Sequence, residues 1–227
     1  MPEVYKSKNV RISEDRVSVK IRDEKGKIID RVIIPTDYYP LPGNNMQIFT
    51  KNNTEVITDR ALLDLIDAVE YKRAGCYENT RNLLDVLNEK GCDVKSYAGW
   101  SFVSECNYPV HHCFVVVDDK HIIDLADDIE ALYEYMQEVK VKSKEDFIEK
   151  SIEYQKNNAK NTDRIKYVGR CSEVFLHIVS EQSPEEAKAL YTELIQKYPN
   201  HKVVSNISDG SGLNSTQLVM KEAGLQF

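Results

Sequence analysis

Residues 110–125, VHHCFVVVDDKHIIDL, carry the reading of this chain. Eight residues from Val110 to Val117 are β-prone, and so is the run from Lys120 to Leu125. Asp118-Asp119 between them predicts a tight reversal, so the two strands are expected to pair antiparallel. Period-two alternation puts His112, Phe114 and Val116 on one face of the first strand, and His111, Cys113 and Val115 on the other. A reversal centred between residues 118 and 119 sets residue 112 opposite residue 125. Asp124 or its neighbour is then in reach of the histidine. If the register slips by one residue, His111 takes the place of His112, and Asp127 or Asp128 takes that of Asp124.

A histidine beside a carboxylate is half of a nucleophilic site, and the other half lies upstream. In AGCYENTRNLL, residues 74–84, Cys76 follows a glycine and opens a predicted helix. Leu83, Leu84 and Leu87 face a core, and Gly91 stops the helix. A nucleophilic cysteine needs its thiolate at neutral pH, and the free N–H groups and positive dipole end of a helix start favour that charge. The same N–H groups can hold an oxyanion. Cys92 lies past a helix end, where the dipole acts the other way. Cys113 sits within an apolar strand, and Cys171 has no base near it in sequence. Cys76, His112 and Asp124 thus read as nucleophile, base and orienting carboxylate. Gln47, the Trp100 indole N–H and His111 are the candidates for a further oxyanion donor or for substrate contact, with a spacer or hydrogen-bonding surface residue as the plainer reading of His111. His121, His177 and His201 have no organised partners in the sequence and read as structural.

The segments around this pair predict an α+β fold. Residues 17–35 form a hairpin about Glu24–Lys27, after a β-prone start, and residues 36–55 read as a long Pro-, Gly- and Asn-rich loop. A helix begins at a Thr58 or Asp59 cap and carries an apolar stripe of Leu62, Leu63, Leu65, Ile66 and Val69. A strand is expected over 93–103, and charged helices over 127–139 and 143–160. The tail alternates β-prone runs within 165–180, a helix opened by Ser183-Pro184, a short strand in 201–207 and a helix over 213–223. A division at residues 1–160 and 161–227 follows, with the second part either an extension of the same sheet or a small β-α-β-α domain.

The 227 residues are 41% apolar and 30% charged, ordinary values for a globular chain able to bury a core. The net charge of −7 argues against nucleic acid or an anionic membrane as partner. No apolar run approaches the roughly 20 residues needed to span a bilayer. Five cysteines without an export signal predict a reduced, cytoplasmic protein. Cys106, His111 and Cys113 form a competing zinc-binding set, although paired knuckles are missing and His111 and His112 point to opposite faces.

Gly75-Cys76 opening a helix, the Gly91 stop, Ala98-Gly99-Trp100, His112-Cys113-Phe114 and Ile123-Asp124 together resemble the core of the transglutaminase-like superfamily, a permuted relative of papain. The likeness covers about residues 58–126. It implies a helix carrying Cys76 packed on an antiparallel sheet carrying His112 and Asp124, with a C-terminal α/β extension. It implies a cysteine protease, amidase or transglutaminase-like acyltransferase acting without a cofactor on a peptide, protein or small amide or thioester. The arylamine N-acetyltransferases share this order of residues, and RAGCYEN is similar to their cysteine segment. Their motif is a fuller R-G-G-x-C, and Ala74 stands here in place of one glycine. A binding module that kept the fold without the chemistry is the non-enzymatic alternative.

Overall fold

The computed structural model describes residues 3–13, 16–22, 25–34, 46–70, 75–103, 109–127, 164–168, 175–199, 201 and 204, with scattered positions between 135 and 153. It is a mixed α+β structure with two antiparallel sheets. Strands β1 (Glu3–Lys6), β2 (Val10–Ser13), β3 (Arg16–Arg22) and β4 (Ile28–Ile33) form a four-stranded meander. The expected hairpin is its second half, with Val19 opposite Val32.

The second sheet has six strands in the order β5-β10-β6-β7-β8-β9. They are β5 (Met46–Phe49), β6 (Val94–Val103), β7 (Val110–Val117), β8 (His121–Asp127), β9 (Arg164–Val168) and β10 (Phe175–Glu181). β5 corrects the expectation of a loop over 36–55. MQIF has enough apolar content to serve as an edge strand once β10 offers it a partner, and Lys51–Asn53 add one 3₁₀ turn. Residues 164–181 contribute two strands to this sheet, with β10 in its interior between β5 and β6. The expected helices at 127–139 and 143–160 fall on residues described only at scattered positions, and 213–223 lies outside the described residues. Of the strand expected within 201–207, only His201 and Val204 are described. Neither is in a strand: Val204 is in a turn and fully buried.

Three α-helices are described over continuous runs, and their starts are legible in the sequence. Helix α1 (Arg60–Ala68) is capped by the Asp59 carboxylate, which accepts from the Ala61 N–H at 2.9 Å. Helix α2 (Cys76–Glu89) ends at Gly91, whose φ of 75° closes the last turn as a glycine does at low cost. Helix α3 (Pro184–Lys197) starts with a reciprocal capping box between Ser183 and Glu186, and with Pro184 in its first turn.

The cores follow from the two faces of the large sheet. On one face Val115, Val117, Ile123 and Leu125 meet Leu83 and Leu87 of α2 and Ile66 of α1. Each such buried leucine is worth about 1.5–3 kcal/mol, so α2 is held chiefly by this seam. Further along that face, Trp100, Phe102, Leu176 and Ile178 share a core with Val10, Ile12, Val17 and Val32 of the small sheet and with Leu194 of α3. On the opposite face Phe49, Tyr97, Phe114, Val116, Ile122 and Val179 form a separate cluster. Near the start of α2 the side chains shrink to Ala98, Cys113 and Ala187, against which Cys76 and Tyr77 pack. Small groups there let the first turn of α2 come close to β6 and β7. Among the described residues no helix is long and apolar enough to cross a membrane.

Candidate active site

The three sequence-predicted site residues come from three elements. Cys76 is the first residue of α2, His112 is the third of β7, and Asp124 lies midway along β8. The reversal between the strands differs from the expected one by half a residue. Asp118 and Asp119 both take left-handed φ values, 53° and 55°, and Lys120 N–H donates to the Val117 carbonyl. The ladder consequently pairs Val117 with His121, Val116 with Ile122 and Val115 with Ile123. Continued, that register sets Asp124 opposite Phe114, so it is a diagonal neighbour of His112 on the same face. A three-residue connection moves the centre from between 118 and 119 onto Asp119, and this brings the carboxylate to the histidine's side.

His112 Nε2 and Asp124 Oδ2 are 2.6 Å apart, with the two side chains only 21% and 15% exposed. The Cys76 side chain is close enough to the same ring to favour its charged form. Since Nε2 is engaged by the carboxylate, Nδ1 is the nitrogen left to exchange a proton with sulfur. Burial works against charge on His112. The Asp124 carboxylate, through attraction and hydrogen bond, and the Cys76 sulfur outweigh that, and the imidazole is held well above its ordinary value.

At the start of α2, Gly75 occupies the cap position and makes no side-chain cap bond. Glycine has no side chain that could accept from the first-turn amides. Thr80, one turn along and buried, lies close enough to Cys113 to favour its thiolate slightly. Burial, then the nearby Cys76 sulfur, push the Cys113 thiol far up, so it stays protonated.

His111 faces the other way. Its Nδ1 shares a 2.6 Å hydrogen bond with the Tyr77 hydroxyl, and its ring stacks on Tyr191 with centroids 4.3 Å apart and planes 9° from parallel. Burial and repulsion by His112 push it down to about 3, so it is neutral. Trp100 is fully buried and presents its ring edge to His111 at 5.5 Å. It is a core residue between the two sheets. Gln47 is exposed on β5, opposite Val179.

Of the remaining histidines, His121 Nδ1 meets the Glu55 carbonyl at 2.9 Å and His201 Nε2 meets that of Ile33 at 2.9 Å. His177 is more than a lone structural residue. It is buried on the His112 face, bonded through Nδ1 to Ser101 Oγ at 2.7 Å and set against Phe114 at 4.7 Å. Burial and His112 push it down to about 3 as well. The sequence held no signal for it, because β6 and β10 meet only through the sheet order. Cys106 of the zinc set lies outside the described residues, and His111 Nδ1 is taken by Tyr77. Among the described residues no three His, Cys, Asp or Glu side chains gather as a metal site.

No family model, curated protein or solved structure matches this chain.

Proposed function

We propose that the chain is a cysteine-dependent hydrolase or acyltransferase with a core of the transglutaminase-like, papain-related kind. One observation carries the reading: His112 is hydrogen-bonded to Asp124 and lies beside Cys76, so a helix start and two strands bring a thiol, an imidazole and a carboxylate together. Cys76 Sγ attacks the carbonyl carbon of an amide or thioester while His112 takes the thiol proton. The tetrahedral oxyanion is met by first-turn amides of α2, which the Gly75 cap leaves without a competing side chain. Its collapse breaks the bond to the amine or thiol leaving group, and His112 returns the proton to that group. A thioacyl enzyme remains. His112 then removes a proton from water or from an amine, which displaces sulfur and releases acid or a new amide. Asp124 holds the ring so that Nδ1 faces sulfur, and stabilises the imidazolium at each stage. No cofactor enters these steps.

Site-resolved alkylation by iodoacetamide tests the chemistry before a substrate is known. Cys76 and Cys92 are both partly exposed, so they form an internal pair. Cys76 is expected to react at pH 7 at least about tenfold faster than Cys92, and His112→Ala should remove most of that excess. Equal rates in the wild type, unaltered by His112→Ala, would overturn the reading. Screening amide and thioester libraries with wild type against Cys76→Ser then separates hydrolysis from acyl transfer.

A further inference from the structure

We propose that Tyr77 and His111 are positioning residues for the Cys76–His112 pair, an inference that rests on the function proposed above. Cys76 and Tyr77 are consecutive on α2, and His111 and His112 are consecutive on β7. Two contacts therefore join the same two short segments: Cys76 lies beside His112, and Tyr77 hydrogen-bonds to His111. Neighbouring residues on a strand point to opposite faces, and neighbours on a helix diverge by roughly 100°. The two contacts consequently act in different directions. One alone leaves the helix start free to slide or turn, and the pair does not.

The second bond is well founded. The His111 ring lies stacked on Tyr191 of α3 at 4.3 Å and edge-on to the buried Trp100 at 5.5 Å. Tyr191 is itself close enough to Cys76 to feel its charge, so stack and nucleophile belong to one neighbourhood. The Tyr77–His111 bond is also where α2 needs one. Of the helices described over continuous runs, α1 and α3 begin with side-chain caps from Asp59 and Ser183, and α2 begins with Gly75 and has none. A cap side chain would occupy the amides that face the sulfur. The tyrosine one residue in fixes the helix start from the side and leaves that end clear. A polar pair suits this task better than an apolar one, because a hydrogen bond weakens steeply off its axis.

The test uses the full chain and site-resolved alkylation at pH 7. Tyr77→Phe keeps the ring and removes only the hydroxyl. Cys76 is expected to react about tenfold more slowly, with the Cys92 rate and the melting temperature near those of wild type, because small misplacement of a reacting pair is costly in rate. If the folded variant alkylates Cys76 within about twofold of wild type, the bond does not position the pair and the proposal fails. A fall in melting temperature with an unchanged Cys76 rate also overturns it, since that marks a purely structural bond. If Tyr77→Phe does not fold, two substitutions at His111 decide: His111→Gln keeps a group that can bond the tyrosine and should retain more of the rate than His111→Leu. Equal rates in those two sink the idea. A wild type whose Cys76 is no faster than Cys92, and indifferent to His112→Ala, removes both this inference and the function beneath it. A wild type that responds to His112→Ala but not to Tyr77→Phe removes this inference alone.

Discussion

His111 and His112 are neighbours on one strand and live in opposite surroundings. His112 turns toward Asp124 and Cys76, and its charged form is favoured although burial opposes it. His111 turns toward Tyr77, Tyr191 and Trp100, rings that offer a hydrogen bond and a stack but no full charge. Burial, helped by repulsion from His112, then decides, and the ring stays neutral. The two faces of β7 thus divide the work: one carries a proton, the other an aromatic scaffold. The difference teaches that burial does not set a histidine's charge by itself. What matters is whether the buried ring meets a carboxylate.

The largest effect that can break this contrast is on stability in acid. His111 and His177 are held at about 3 in the folded chain and return to about 6.5 when it unfolds. The unfolded state therefore binds more protons below pH 6.5, and stability falls there by at most about 1.4 kcal/mol per pH unit for each histidine. His112 has the opposite sign. Its raised native value contributes stability fully below about 6.5, and this is lost as pH rises through that value. For these three groups together, urea midpoints should be highest near pH 6.5, and His111→Gln should make the acid arm shallower. An acid arm of unchanged steepness in that variant would show that His111 is not held neutral.

Next in size is Asp124→Asn, which keeps the shape and removes the charge. The His112 titration followed by NMR should move down, because only Cys76 is then left to oppose burial, and Cys76 alkylation at pH 7 should slow by about tenfold to a hundredfold. An unmoved His112 midpoint would mean that Asp124 is not the source of the contrast.

Gly99→Ala comes third. Gly99 lies opposite His112 in the ladder, and its φ of 157° suits glycine. A Cβ there would run into the Ile178 carbonyl and the Val179 Cα, which are backbone and cannot swing away. The urea midpoint should drop by the equivalent of about 2–3 kcal/mol. A smaller effect appears for Tyr191→Leu, which removes the stack from His111 at a cost of about 1 kcal/mol. The His112 midpoint should stay where it is; a shift would show that the stack on His111 also tunes His112.

Much of the candidate site is legible in the chain itself. The Asp59 and Ser183 caps, the Gly91 stop and the cysteine at a helix start are local features, set by groups within four residues of one another. A carboxylate near the histidine also follows from local spacing, but the simplest count sets Leu125 opposite His112, and the half-residue shift at the Asp118-Asp119 turn is what brings Asp124 onto the histidine's face. β5 was hidden because its partner β10 lies about 130 residues further on. Ser101 and His177 were hidden for the same reason.

Sequence alone determined which residues could supply a nucleophile, a base and a carboxylate, and which element each would occupy, because periodicity, caps and turns act over a few residues. Only the tertiary structure decided that β10 enters between β5 and β6, that Tyr77 meets His111, and that of two adjacent histidines one has its charged form favoured and the other is kept neutral. Those outcomes depend on strand order and on which groups share a buried space, and both are set by contacts between segments far apart in the chain.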